Sequence, residues 1–203
     1  MSDAQNNSDK AANAKTPEQL IGEHVGLAMI AGAIPIPFVD LAVVTTIQVE
    51  LLNRLAQHYQ VDFNLERGKS MISSLIASSA GIMAGKIGAS LVKGIPGIGS
   101  LLGVGSQVIF SGASTYAIGH IFDDHFRKQG SLFSFDFERV KRDFQAFFEE
   151  GTIFAQKKQK QPPTGQSKDD ILSTIAKLNN LMQSGAINKD EFEKAKADLL
   201  TRL

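Results

Sequence analysis

Apolar residues recur at three- and four-residue steps through most of this chain, and the breaks fall at proline, glycine and short polar runs. That period belongs to amphipathic helix. Thr16-Pro17-Glu18-Gln19 reads as a helix start, with Thr16 as cap, Pro17 at the first helical position and Gln19 closing a capping box. The helix it opens is expected to run to about Ala33. Its apolar content is nearly continuous after His24, as for a helix buried on most sides. Pro35 and Pro37 lack amide donors and disfavour helix before them, so the chain turns between Ile34 and Phe38. Asp40 is placed to cap the second helix, with Val39 and Val44 spaced as a hydrophobic staple. There Leu41, Val44, Ile47, Leu51, Leu55 and Tyr59 form one stripe, and Glu50 and Arg54 are ordered for an i,i+4 pair.

A third helix is expected over about 66–93. Ala77, Gly81, Gly85 and Ala89 repeat along it every four residues. Glycine inside a soluble helix costs roughly 1 kcal/mol against alanine. Close approach of a neighbouring helix compensates, and the small-xxx-small spacing is favoured where helices meet in membranes. Gly94 to Gly99, with Pro96, makes a second corner. The fourth helix, about 100–125, carries Gly105, Gly112 and Gly119 at seven-residue spacing. Two glycine-rich hairpins result, about 17–60 and 66–125, and their shared helix–Ile-Pro–helix plan hints at a diverged duplication.

A fifth, aromatic helix is expected over about 135–155, with Phe133, Phe137, Val140, Phe144 and Phe147 stepping by four and three. Residues 156–167 read as a linker by composition. The tail, 168–203, reads as a separate two-helix unit. Gly185 ends its first helix, Asn188 caps the second, Glu191 completes a capping box and Ile187 staples onto Phe192. Ile171, Ile175, Leu178 and Met182 are set to face Phe192, Ala195, Leu199 and Leu200. So small a unit buries too little to be very stable alone. Pairing with a copy of itself or with another protein is the expected remedy, through Ile187, Phe192, Leu199 and Leu200. The fold class is therefore all-α: a helical domain over 16–155, then the linker and the tail.

Charge changes this picture in one interval. Lys and Arg total 21, as do Asp and Glu, so the balance gives no general reason to expect nucleic acid. Yet from Ser70 to Phe122 the only such residues are Lys86 and Lys93. A bilayer-spanning helix needs about 20 mainly apolar residues, so the length is available, although glycine and serine moderate the hydrophobicity. Lys86 and Lys93 lie nearly on one face, where they either snorkel to lipid headgroups or stand in water. The chain has no cysteine, hence no disulfide framework or thiolate site. Residues 1–15 are polar, lack the apolar core of a signal peptide and read as a disordered arm.

Two stretches resemble known families. Residues 31–59, with the Ile34-Pro35-Ile36-Pro37-Phe38-Val39-Asp40 corner and the Thr45-Thr46-Ile47-Gln48 helix, resemble the bacterial Domain of Unknown Function 697. So do Ile95-Pro96-Gly97-Ile98-Gly99 and Thr115-Tyr116-Ala117-Ile118-Gly119 further on. The resemblance covers roughly 17–126 and implies a membrane protein, often fused to or found beside a GTPase, with unsettled activity; this sequence shows no GTPase domain. Residues 170–203 are similar to the short C-terminal domain called SHOCT, which implies an oligomerisation or interaction module rather than a catalyst.

Candidate chemistry is sparse. Gly68-Lys69-Ser70 ends like a phosphate-binding loop, but Phe63 stands where the earlier glycine is needed and no strand precedes it. His120, Asp123, Asp124 and His125 cluster on one helix end. His120 and Asp124 could share a metal, though two ligands do not make a structural site. His24 and His58 have no nucleophile arrangement around them. The expectation is a non-enzyme without cofactor or metal: a membrane-associated scaffold or adaptor, on the cytoplasmic side or in an inner membrane. Its partners would be membrane lipid and either further copies or a protein, possibly a GTPase. The alternatives are a soluble cytoplasmic adaptor and, more distantly, a metal-dependent enzyme at His120 and Asp124. The Phe stripe of the fifth helix is expected to serve packing rather than a lipid surface, because Phe135 to Glu150 lacks the basic face of an interfacial helix.

Overall fold

The computed structural model describes residues 15–34, 39–77, 104–132, 134, 136–160, 168–183, 187–201 and 203. Among these there are seven helices and no strand: α1 (Pro17–Ala31), α2 (Val39–His58), α3 (residues 65–77), α4 (Val104–Arg127), α5 (Phe137–Lys160), α6 (Lys168–Gln183) and α7 (Lys189–Leu200). The chain is all-helical, as the periodicity indicates.

Local rules set several ends. At α1, the Thr16 hydroxyl accepts the Gln19 amide at 3.3 Å and the Gln19 side chain accepts the Thr16 amide at 3.0 Å. Asn188 and Glu191 close the same reciprocal box at α7, at 2.9 and 2.8 Å. Helices α2 and α4 finish alike. Gln60 and Gln129 take left-handed backbone with φ of 57° and 61°. The next amides, Val61 and Gly130, bond back to the carbonyls of Ala56 and His125 at 2.8 and 2.9 Å. This is the Schellman closure, with glutamine where glycine is usual.

Some boundaries differ from expectation. Helix α2 already contains Val39, so Asp40 lies within it rather than ahead of it as a cap. Helix α5 continues through the expected linker start to Lys160, because glutamine and lysine are good helix formers, and the run stays clear of Pro162 and Pro163.

Helices α1, α2, α4 and α5 pack side by side. Met29 of α1 lies at Gly112 of α4 and Ile21 at Gly119, so these two helices run antiparallel. On α2, Gln48 meets Ser114 and Thr115, while Tyr59 meets Asp123, so α2 and α4 run parallel. Gly151 of α5 lies against Ala113 and Tyr116, and Phe147 against His120, making α5 antiparallel to α4. The shared core includes Ile21, Val25, Leu51, Leu55, Ile118, Phe122, Phe144 and Phe148, with Ile72 and Leu75 from α3.

The tail does not stand apart. Ile171, Leu178, Ile187, Phe192, Ala195 and Leu199 form one buried cluster with Leu27, Ile30, Val43, Val44 and Ile47 of α1 and α2. The burial that the short unit lacks comes from the hairpin of the same chain. Leu200 is 45% exposed, which corrects its assignment to the tail's inner face. The α7 stripe is filled by Phe192, Ala195 and Leu199 at three- and four-residue steps, and the next position turns outward.

Candidate functional site

Among the residues singled out in the sequence, Pro35, Pro37, Gly81, Gly85, Ala89 and Pro96 lie outside the described residues, as do Lys86 and Lys93. Ala77 is exposed. Gly105 lies within α4. Gly112 and Gly119 are buried at helix contacts. A Cβ at Gly112 would stand 2.7 Å from Met29 Cγ and 3.2 Å from Ala155 Cβ. One at Gly119 would stand 2.7 Å from Ile21 Cγ1 and 3.2 Å from Leu51 Cδ2. Hydrogen is the only substituent that fits without movement.

The four residues at the end of α4 have separate partners. His120 packs between Tyr116, at 4.2 Å between ring centres, and Phe147, stacked at 5.5 Å. Asp123 accepts the Tyr59 hydroxyl at 2.7 Å. Asp124 is paired with Arg127 and Lys128. His125 Nε2 lies 2.9 Å from the Ser131 carbonyl. Among the described residues no group of three or more His, Cys, Asp or Glu is placed to hold a metal. His120 and Asp124 thus have separate partners in this structure: Phe147 stacks on one, and two cations pair with the other. A cavity of about 140 Å³ nearby is lined by Asp124, His125, Lys128, Asp136, Arg139 and Asp143, but not by His120. These contacts shift the ionisations. Burial and the hydrogen bond to Asp123 push the Tyr59 hydroxyl up to about 12. Hydrogen bonds from Lys128 and Arg127 outweigh burial and hold Asp124 below its ordinary value.

A different polar centre sits where the tail meets the hairpin. Glu50 of α2 receives Lys177 of α6 at 2.7 Å and Arg54 at 3.4 Å. Lys177 also reaches the Ser173 hydroxyl at 3.2 Å. Beside them His24 of α1 is buried, 2% exposed. Its Nδ1 donates to the Leu20 carbonyl at 2.7 Å. Its Nε2, 4.0 Å from Glu50 Oε1, has no hydrogen-bond partner among the described residues. With the proton on Nδ1, neutral His24 turns a lone pair toward a carboxylate. Burial lowers its pKa, against the opposing pull of the Leu20 carbonyl and of Glu50 and Glu23. For Glu50, burial alone would raise the pKa. The hydrogen bond and charge of Lys177, then the charges of His24 and Arg54, bring it below the ordinary carboxylate value. The centre holds the tail in register on the hairpin. The His24 ring is closed to solvent.

A third centre lies within the bundle. The Gln48 side chain, fully buried, donates to Ser114 at 3.1 Å and Thr115 at 3.2 Å. Those hydroxyls in turn donate to the Ser111 carbonyl. Gln48 Oε1 has no hydrogen-bond partner among the described residues. Sequence reasoning passed over Lys177 and took Gln48 only as part of the family motif, not as a buried polar centre. Gln48 does carry a signal, since glutamine between Ile47 and Val49 interrupts an apolar stretch that otherwise reads as core.

The chain matches a family described as Domain of unknown function (DUF697) over residues 15–152, which takes in α1 to α5 up to Thr152 and leaves the tail beyond it. It is also similar to Magnetosome membrane protein 22 of Magnetospirillum gryphiswaldense, with 34% identity over 141 residues, 69% of this chain and 72% of that protein. No solved structure matches it.

Proposed function

The chain belongs to the DUF697 family, and from that premise we propose that it is a non-enzymatic, membrane-associated helical scaffold. The likeness to a magnetosome membrane protein across more than two thirds of both chains carries this reading. Among the described residues no helix is long and apolar enough to cross a membrane. Contact with lipid is therefore assigned to the interval 78–103, whose sequence holds two lysines and no acid. The bundle faces the cytoplasmic side, and the described polar centres act as structural ties within it. The SHOCT-like tail gives the scaffold its second role, self-association or recruitment of a protein partner; the family resemblance makes a GTPase one such partner.

Fractionation of cells making the full chain tests the membrane reading. Retention in the membrane pellet after alkaline carbonate, with release only by detergent, is the expected result. Complete release by a salt wash would favour the soluble adaptor, in line with the packing of α1 to α5 around one core.

A further inference from the structure

Helix α5 changes character along its length. From Phe137 to Glu150 the helix carries four acids and three bases; from Gly151 to Lys160 there are three lysines and no acid. The same stretch leaves two large apolar side chains at the surface, Ile153 at 55% and Phe154 at 37% exposure. Ile153, Lys157 and Lys160 stand at i, i+4 and i+7, one stripe of the helix, and Phe154 lies on the adjoining stripe. Lysines at a helix C-terminus complement the macrodipole. That explains the bases but not the apolar groups set among them. Lys158, also exposed, lies over the Phe154 ring at 5.8 Å and donates to the Gly22 carbonyl at 3.1 Å, and Asp170 acts on it electrostatically. Lys157 and Lys160, both exposed, carry the outward charge.

The position of this face adds to its composition. Because α5 is antiparallel to α4, its lysine end lies at the end of the bundle where α4 begins. Gly32, beside Gln107 and Ser111, places the close of α1 there too. Residues 78–103 join the bundle at that end through Val104. Glu149 and Glu150, a turn or more back along α5, mark where the basic face stops. Apolar side chains bordered by lysine are the combination that settles into the headgroup layer of an anionic membrane. We infer that the Ile153–Lys160 face of α5 docks on the surface of an anionic lipid bilayer, an inference that rests on the membrane-associated reading above.

The test is flotation of the full chain with phosphatidylcholine vesicles, with and without phosphatidylglycerol. Wild type, K157Q/K160Q and I153S are compared, with unchanged thermal midpoints as the control for folding. The expected result is flotation that depends on phosphatidylglycerol and weakens about fivefold per lysine removed, or about 25-fold for the pair, with a further loss for I153S. Equal flotation of all three chains, or equal flotation of wild type on neutral vesicles, overturns the inference. So does a change in gel-filtration size for I153S, which would make this face a contact between copies. If K157Q/K160Q floats as wild type does while both stay in the membrane fraction of cells, only the α5 face falls. If wild type leaves the membrane fraction, the membrane reading falls with it.

Discussion

Single residues decide how closely the helices approach. Gly119 faces Ile21 and Leu51 at distances that a methyl group would violate. Alanine gains about 1 kcal/mol in helix propensity, but overpacking costs about 1–3 kcal/mol. Gly119→Ala is therefore expected to lose about 1 kcal/mol net by urea denaturation; a gain would mean that α1 and α4 separate without penalty. The opposite sign is expected at the helix ends. Gln60 and Gln129 hold left-handed backbone, which disfavours a side chain by about 1–2 kcal/mol. Gln60→Gly and Gln129→Gly should each raise the thermal midpoint, and an unchanged or lower midpoint would contradict the closure described for α2 and α4. His24 sets a pH response. Its folded-state pKa lies below the ordinary 6.5, so the folded chain binds fewer protons than the unfolded one. Its contribution to stability is complete above 6.5 and is lost as pH falls through the lower folded value. Glu50, shifted down from 4.5, adds a second loss at more acidic pH. His24→Leu should flatten the upper part of this profile; an unaltered slope would contradict the assignment. The sequence made the cap residues at Thr16 and Asn188 legible, because capping boxes are local. It could not show Glu50 meeting Lys177, because that pair depends on how two distant helices dock.

At the scale of elements, the helices were legible from periodicity while their company was not. The tail stripe from Ile171 to Leu199 is plainly half-buried in pattern, but a pattern does not name what covers it. Here α1 and α2 cover it. The same limit applied to His120 and Asp124: their spacing on α4 was readable, whereas stacking by Phe147 and neutralisation by Lys128 were not. The shared cluster has a measurable consequence. Phe192→Ala removes a buried aromatic, which typically costs about 3–5 kcal/mol. Because the tail shares one buried cluster with α1 and α2, the loss should appear first as faster hydrogen exchange in α6 and α7 together with Leu27 to Ile34 and Val43 to Ile47. Faster exchange confined to α6 and α7 would mean that the tail is independent of the hairpin. Removing residues 168–203 tests the partner role separately, since an unchanged assembly size would exclude self-association through the tail.

Across the whole molecule, the two ends of the bundle differ. One end carries the Tyr59–Asp123 contact and the Asp124 ion pairs. The other carries the close of α1, the start of α4 and the lysine end of α5. The charge-poor interval of the sequence leads into that second end, and the scaffold reading gives it to the membrane. A chain without cysteine allows this to be measured directly, because one introduced cysteine carries a fluorophore without background. Labels at Leu91→Cys and at Glu66→Cys are to be compared in native membranes for quenching by a water-soluble quencher. The expected result is a shielded label at position 91 and a freely quenched one at position 66; equal quenching at both would contradict the membrane assignment.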